Sequence, residues 1–532
     1  MKRIWIKNGR VIDGTNTPAH TADVIVEGDR IVSVGEPGSP SDTVIDAAGK
    51  VVCPGFVDIH RHCDAKFLQD SDFGKVMLAQ GITTTVVGNC GMSLTPSPKD
   101  PAEMYDFMEA VLGSGCEKLG LHDYKDYVAV LQSRPLPVNA ASMVGTGSVK
   151  ITVKGFADTP YTAEELKKAA SLIEDALNAG AVGVSCGIMY LPECYSTTNE
   201  FAEILKPLGK AGRVLTAHIR GEGDSLVSSV KEIIEIGKKA GCPVEISHFK
   251  CCGMENWRKG IHEAIALIEE ARAAGQDVTC DFYPYEGGST ALTTMLPPCC
   301  VAGDMTAALA RLGTPEGVEE FRKAAAVRYD DWDNYAITLG WDRILISGVS
   351  APENRRFLGL TVEEAAKKFG FPDSASCAAY LMHTDNGKTA IINMSMCQED
   401  IDTVARLPYS TIISDSIYAD TDTPHPRMYG SFPKIIREYV NERHVLTLEQ
   451  AIEKMTSRPA RRMGLKDRGE LRPGAYADLL IFDPDTFKDR ATFSEPTLLA
   501  EGLSYALLNG VPVWQDGELL SHSAGRCLLA DR

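Results

Sequence analysis

No stretch of this chain approaches the roughly 20 consecutive apolar residues that a membrane-spanning helix needs, so a helical membrane protein is not expected. There is no block of Lys or Arg either, and the formal net charge is −18, which argues against a nucleic-acid surface or an anionic lipid partner. The opening MKRIWIKNGRVIDG carries basic residues but no apolar segment of signal-peptide length, which gives the expectation of a cytoplasmic protein. A disulfide framework is missing as well. The 15 cysteines are odd in number and irregularly spaced, with neighbours at Cys251 and Cys252 and at Cys299 and Cys300, so most should be free and buried.

What the chain does have is an ordinary soluble composition, 44% hydrophobic and 24% charged over 532 residues, enough for one large domain and a smaller one. Both ends read as short strands and turns. RIWIKNGRVID and ADVIVEGDRIVSVG alternate apolar and polar residues, with KNG and EGD as expected hairpin turns, and LSYALLNGVPVWQDGELL repeats the pattern near the other end. We therefore expect a small β-sandwich assembled from residues 1–54 and 466–532. Between them, residues 55–465 alternate strand-like runs with helical patterns such as TAEELKKAASLIEDALNAGA and SLVSSVKEIIEIGKKAG, the signature of βα units. Eight candidate strands can be read: 55–60, 82–88, 138–144, 180–186, 213–219, 243–249, 277–283 and 410–415. The expected fold is α/β, a (β/α)8 TIM barrel whose chemistry sits at the C-terminal strand ends. About 125 residues separate the last two strands, which predicts an inserted subdomain over about 292–400, built in part from TPEGVEEFRKAAAVRYDDW and TVEEAAKKFGF.

On this reading the metal-competent side chains gather at one end. In GFVDIHRHCD, His60 and His62 lie one residue apart, which on a strand turns both to the same face. Cys90 follows the second strand, His218 and His248 lie near the ends of the fifth and sixth, and Asp415 ends the eighth. Alone, each has a plain structural alternative: a hydrogen-bonded histidine, a small buried thiol, a loop-capping carboxylate. Together, imidazole, thiolate and carboxylate favour zinc. A divalent pair can acidify a water and polarise a carbonyl, so the expected reaction is hydrolysis, with Asp415 as the general base and then acid. Lys250, Tyr283, Ser289 and Arg427 lie just beyond the same strand ends, where the two cations suit a substrate carboxylate. His425 is expected to hold a loop near that centre.

The motif PGFVDIHRH resembles the first-strand motif of the amidohydrolase superfamily. GNCG, HIRGEG, ISHFK, DFYPYEGGST, PHPRMYGSFP, MTSRPARRMGL and RGELRPGAYADLLIFDP together resemble its D-aminoacylase branch, the N-acyl-D-amino-acid deacylases, over nearly the whole chain. The resemblance implies zinc-dependent cleavage of the amide of an N-acyl-D-amino acid; the D stereochemistry comes from the resemblance alone. It also implies that Cys90, His218 and His248 hold a tight zinc, that His60, His62 and Asp415 border a second, weaker site, and that Lys250, Tyr283, Ser289 and Arg427 hold the substrate. The expected partner is that small molecule, with a homo-oligomer left open. Two segments depart from the pattern: VGTGS stands where the family has a Gly-His pair, and SCGIMY brings in Cys186. Arg61 and Cys63 beside the histidines are also unusual. The alternatives are a cyclic amidase of the hydantoinase or dihydroorotase type, which usually needs a lysine at the fourth strand that AGAVGVSCG lacks, or an inactive binding protein on the same fold.

Overall fold

The computed structural model describes residues 3–39, 43–70, 72–301, 304–330, 332–418, 421 and 423–531. The centre of the molecule is a set of parallel strands that follow chain order. Phe56–Asp58, Ile82–Val87 and Asn139–Ser142 pair in one sheet. After one residue the chain resumes as Val144–Gly145, which begins a second run through Gly183–Gly187, Val214–His218, Val244–Ile246, Val278–Phe282 and Ser410–Ile412. All eight expected strands are present, each shorter than its apolar run. The run Ile82–Val87 is buried at every residue, as a strand covered on both faces must be. Helices such as Ala163–Asn178 and Leu226–Ala240 supply the covering; the first starts at a Thr162–Glu165 capping box and turns Ala169, Ile173, Ala176 and Leu177 inward.

The first and last strands meet through a buried charge network, and here Arg61 finds its purpose. Its side chain is fully buried and points away from the histidines on either side. Nη1 donates to Asp58 Oδ2 at 3.1 Å, Nε to the Tyr418 hydroxyl at 2.9 Å and Nη2 to the Met428 carbonyl at 3.1 Å. Asp58 in turn accepts from the Ser414 N–H at 3.1 Å, while Asp415 N–H donates to His60 O at 2.9 Å. A buried ion pair of this kind is tolerable only because nearly every donor has an acceptor.

Strands from both ends of the chain form one nine-stranded sheet, in which Val51–Pro54 joins Arg3–Val11 to Leu479–Phe482. The EGD turn and the Asn509-Gly510 and Asp516-Gly517 turns are hairpins as expected; in the last two both residues of each pair have positive φ, the geometry that follows the twist of the strands. KNG is not a turn. Arg3–Val11 runs straight through it as one strand, with a register shift between Ile6 and Gly9 and Asn8 at φ 61°, a bulge that uses the same residue types as a hairpin.

The segment between the last two parallel strands carries its own antiparallel sheet of Gly288–Ala291, Ile344–Gly348 and Ala390–Asn393, and a separate apolar core around Leu292, Phe321, Ile346 and Phe357. Its first strand lies a few residues before the expected start at 292. Among the described residues no helix is long and apolar enough to cross a membrane.

Candidate metal centre and substrate cavity

The expectation that His60 and His62 share a strand is corrected by the structure. The strand ends at Asp58, and a separate two-residue strand, Arg61–His62, pairs with Ser416–Ile417. The two rings still come together, with centroids 5.3 Å apart. His248 likewise lies beyond its strand, which stops at Ile246. Cys90, His248 and Asp415 all sit in left-handed backbone, at φ 53°, 37° and 50°. Each such residue costs on the order of 1–3 kcal/mol, and their concentration at one end of the parallel strands marks a site where side-chain direction outweighs backbone comfort. The GNCG motif winds tightly enough that a Cβ on Gly88, itself at φ 79°, would strike the Met143 carbonyl.

Six donors from remote parts of the chain converge. Cys90 Sγ lies 3.2 Å from His60 Nε2, 3.6 Å from His248 Nε2 and 3.9 Å from His218 Nδ1, and the last two nitrogens are 2.8 Å apart. Asp415 Oδ1 is 3.4 Å from His60 Nε2 and 3.5 Å from His62 Nε2. The ligand atoms fall into three overlapping triads: His60, His62 and Cys90; Cys90, His218 and His248; and His60, His248 and Asp415. With bonds of about 2.0 Å to nitrogen and 2.3 Å to sulfur, the ligand atoms of a tetrahedral zinc lie roughly 3.3–3.7 Å apart, and three of these six separations fall in that range.

Electrostatics supports the same fit. Burial holds His60, His218 and His248 well below the usual imidazole range, so they are neutral and offer lone pairs. Burial pushes the Cys90 thiol up, with the Asp415 carboxylate adding to it, so a thiolate there needs a cation beside it. For Asp415 burial works toward the neutral acid, but the guanidinium of Arg427 outweighs it and holds the carboxyl well below its ordinary range. Arg427 Nη1 is 2.8 Å from Asp415 Oδ2.

The donors open into a cavity lined by His62, Cys90, His218, His248 and Asp415 and by all four of the expected substrate residues, Lys250, Tyr283, Ser289 and Arg427. The Tyr283 hydroxyl and Arg427 Nε are buried without a hydrogen-bond partner among the described residues, as groups reserved for a ligand would be. His425 holds the loop beneath Arg427: Nε2 is 2.9 Å from Gly287 O, and Nδ1 accepts from the Arg427 N–H. Thr146 of VGTGS is absorbed elsewhere, donating to the buried Glu193 carboxylate, and Cys186 is buried in its strand; neither lines the cavity. The fourth strand, Gly183–Gly187, has no lysine.

Two carboxylates escaped the reading of the sequence. Asp281 sits behind the centre, accepting from the His248 N–H, with Oδ2 4.0 Å from His60 Nδ1. Glu222 Oε1 lies 2.9 Å from His248 Nδ1 and 2.6 Å from Lys250 Nζ, which itself is 2.7 Å from that Nδ1. The tautomer with its proton on Nδ1, donated to Glu222, is the one that would leave Nε2 free to face Cys90 and His218. Lys250 is buried, yet Glu222 keeps it charged. The loop carrying Glu222 is clamped from the inserted segment: Asp333 accepts from the N–H groups of Glu222 at 2.5 Å, Gly223 at 2.7 Å and Ser225 at 3.1 Å, and from the Ser225 hydroxyl at 3.0 Å. Replacing Glu222 by Gln should weaken zinc binding by about 10- to 100-fold, the usual effect of losing a group that orients a ligand histidine, and a chelator competition titration would read it.

Comparison with known proteins adds an independent line. The model of the amidohydrolase family matches residues 43–248 and 401–514. A D-aminoacylase of Alcaligenes xylosoxydans xylosoxydans is 33% identical, the match covering 99% of this chain and 97% of that protein. A crystal structure of N-acyl-D-glutamate deacylase from Bordetella bronchiseptica, complexed with zinc and a phosphonate mimic of the tetrahedral intermediate, superposes with a TM-score of 0.84 at 33% identity over 100% of both chains. A D-aminoacylase structure described for its binuclear metal centre, with activation by one metal and attenuation by the second, superposes at 0.83 with 34% identity, covering 99% of each.

Proposed function

Because the chain belongs to the amidohydrolase family, we propose that it is a zinc-dependent hydrolase that cleaves N-acyl-D-amino acids to a carboxylate and a free D-amino acid. The observation that carries the reading is the meeting of six N, S and O donors with two paired cations and an unpartnered tyrosine hydroxyl in one cavity. The eight parallel strands read as a closed (β/α)8 barrel over 55–465, with the first-to-eighth contacts at Asp58, Arg61 and Ser414 supporting closure. The shared sheet of 1–54 and 466–532 reads as the β-sandwich domain. Fifteen free thiols support a reducing, cytoplasmic setting.

In this reading Cys90, His218 and His248 hold the tight zinc, and His60, His62 and Asp415 border a second, weaker site. Bound there, zinc supplies a Lewis acid that polarises a carbonyl and lowers the pKa of water. The chain does the rest. Arg427, Lys250 and Tyr283 hold the substrate carboxylate, with Ser289 at the wall, and so fix the amide against the donors. Asp415, ionised at neutral pH, takes the proton of the attacking water and delivers it to the leaving nitrogen, a transfer that matters because an amide leaves poorly without it.

A hydrolysis screen over N-acetyl and N-formyl derivatives of D- and L-amino acids, with zinc content measured in parallel, tests the reading. The expected result is turnover of D substrates that disappears on chelation and returns with zinc. Turnover confined to cyclic amides, or none in zinc-loaded protein, would overturn it.

A further inference from the structure

Beside the metal cavity lies a second one, and Met92, Val111, Met189, Tyr190 and Thr290 line both. The two therefore adjoin along a border made largely of apolar side chains. The far side is formed by residues such as Phe107, Leu296, Met305 and Trp332. Among the described residues that line this second cavity there is no Lys, Arg, His, Asp or Glu. Three of its lining residues are methionines, whose flexible thioethers adapt to guests of different shape.

The charge census of the first cavity sharpens the contrast. Its lysine and arginine are Lys250 and Arg427, each already facing a protein carboxylate, Glu222 and Asp415 respectively. They can accept one substrate carboxylate. A second one, on an acidic side chain, finds no further lysine or arginine among the described residues of either cavity and would lose its hydration without a partner.

Resting on the deacylase reading, we propose that the substrate carries an apolar hydrocarbon group that fills this second cavity, so that the enzyme selects for hydrophobic and against acidic N-acyl amino acids. The group could be the amino-acid side chain or the acyl chain, and both have the same chemistry. An apolar pocket discriminates by about tenfold or more per methylene, so the preference should be large.

Two substrate series separate the sources. In the first, N-acetyl-D-alanine, -leucine, -phenylalanine and -glutamate vary the side chain; in the second, N-formyl-, N-acetyl- and N-hexanoyl-D-alanine vary the acyl group. The expected result is a rise in kcat/KM of at least about 100-fold along one series, which identifies the occupant, with glutamate at the bottom of the first. The variants Met305→Arg and Thr294→Arg each bring a guanidinium to the second cavity from a half-buried position. Either should cut the preferred-to-disfavoured ratio by tenfold or more, and a ratio unmoved in both folded variants would overturn the inference. Glutamate outpacing leucine, or two flat series, would overturn it while leaving the deacylase reading intact. No turnover of any compound would remove both.

Discussion

The Asp415→Asn variant is expected to lose about two to four orders of magnitude in kcat while keeping its zinc. Proton transfer by a positioned side chain contributes roughly 10²- to 10⁴-fold, and the amide keeps the shape of the carboxylate but cannot take a proton. Zinc should stay because Cys90, His218 and His248 converge without Asp415. Arg427 will be left facing a neutral group at 2.8 Å, so some loss of stability should accompany the loss of rate. Single-turnover kinetics with metal analysis on the same preparation would read both. Undiminished kcat would remove Asp415 from the proton transfer, and loss of zinc would mean that it is needed to hold the tight metal.

Cys90→Ala should show the opposite pairing, with zinc and activity falling together. The thiol belongs to two of the three donor triads, and burial keeps it protonated unless a cation sits beside it. Lewis-acid stabilisation amounts to several kcal/mol, about three orders of magnitude in rate, so kcat/KM should drop by roughly that much. The replacement is small and the site well buried, so the fold should survive, which circular dichroism would check. Stoichiometric zinc in the alanine variant would show that the thiolate is not a ligand.

Most of this architecture could be read from residues alone, for identifiable reasons. Strands such as Ile82–Val87 announce themselves because burial on both faces requires an unbroken apolar run, and the donors announce themselves because Cys90, His218, His248 and Asp415 end such runs. Boundaries were less legible. The chain leaves its strand before His60 and before His248, and that bend is paid for by contacts with Asp281 and Asp415 that no local pattern encodes. KNG misled because Asn and Gly serve bulges and turns equally well. Glu222 and Asp281 were invisible because acidic residues are common in any sequence, and only folding shows which ones end up behind a histidine.

The position of Asp333 bears on how substrate and product pass. Four hydrogen bonds tie this buried carboxylate to the turn that carries Glu222, so the part of the inserted segment around it cannot swing away on its own without stranding a charge in the interior. Opening the centre at residues 332–333 would break all four bonds at once, so these residues work as masonry rather than as a door.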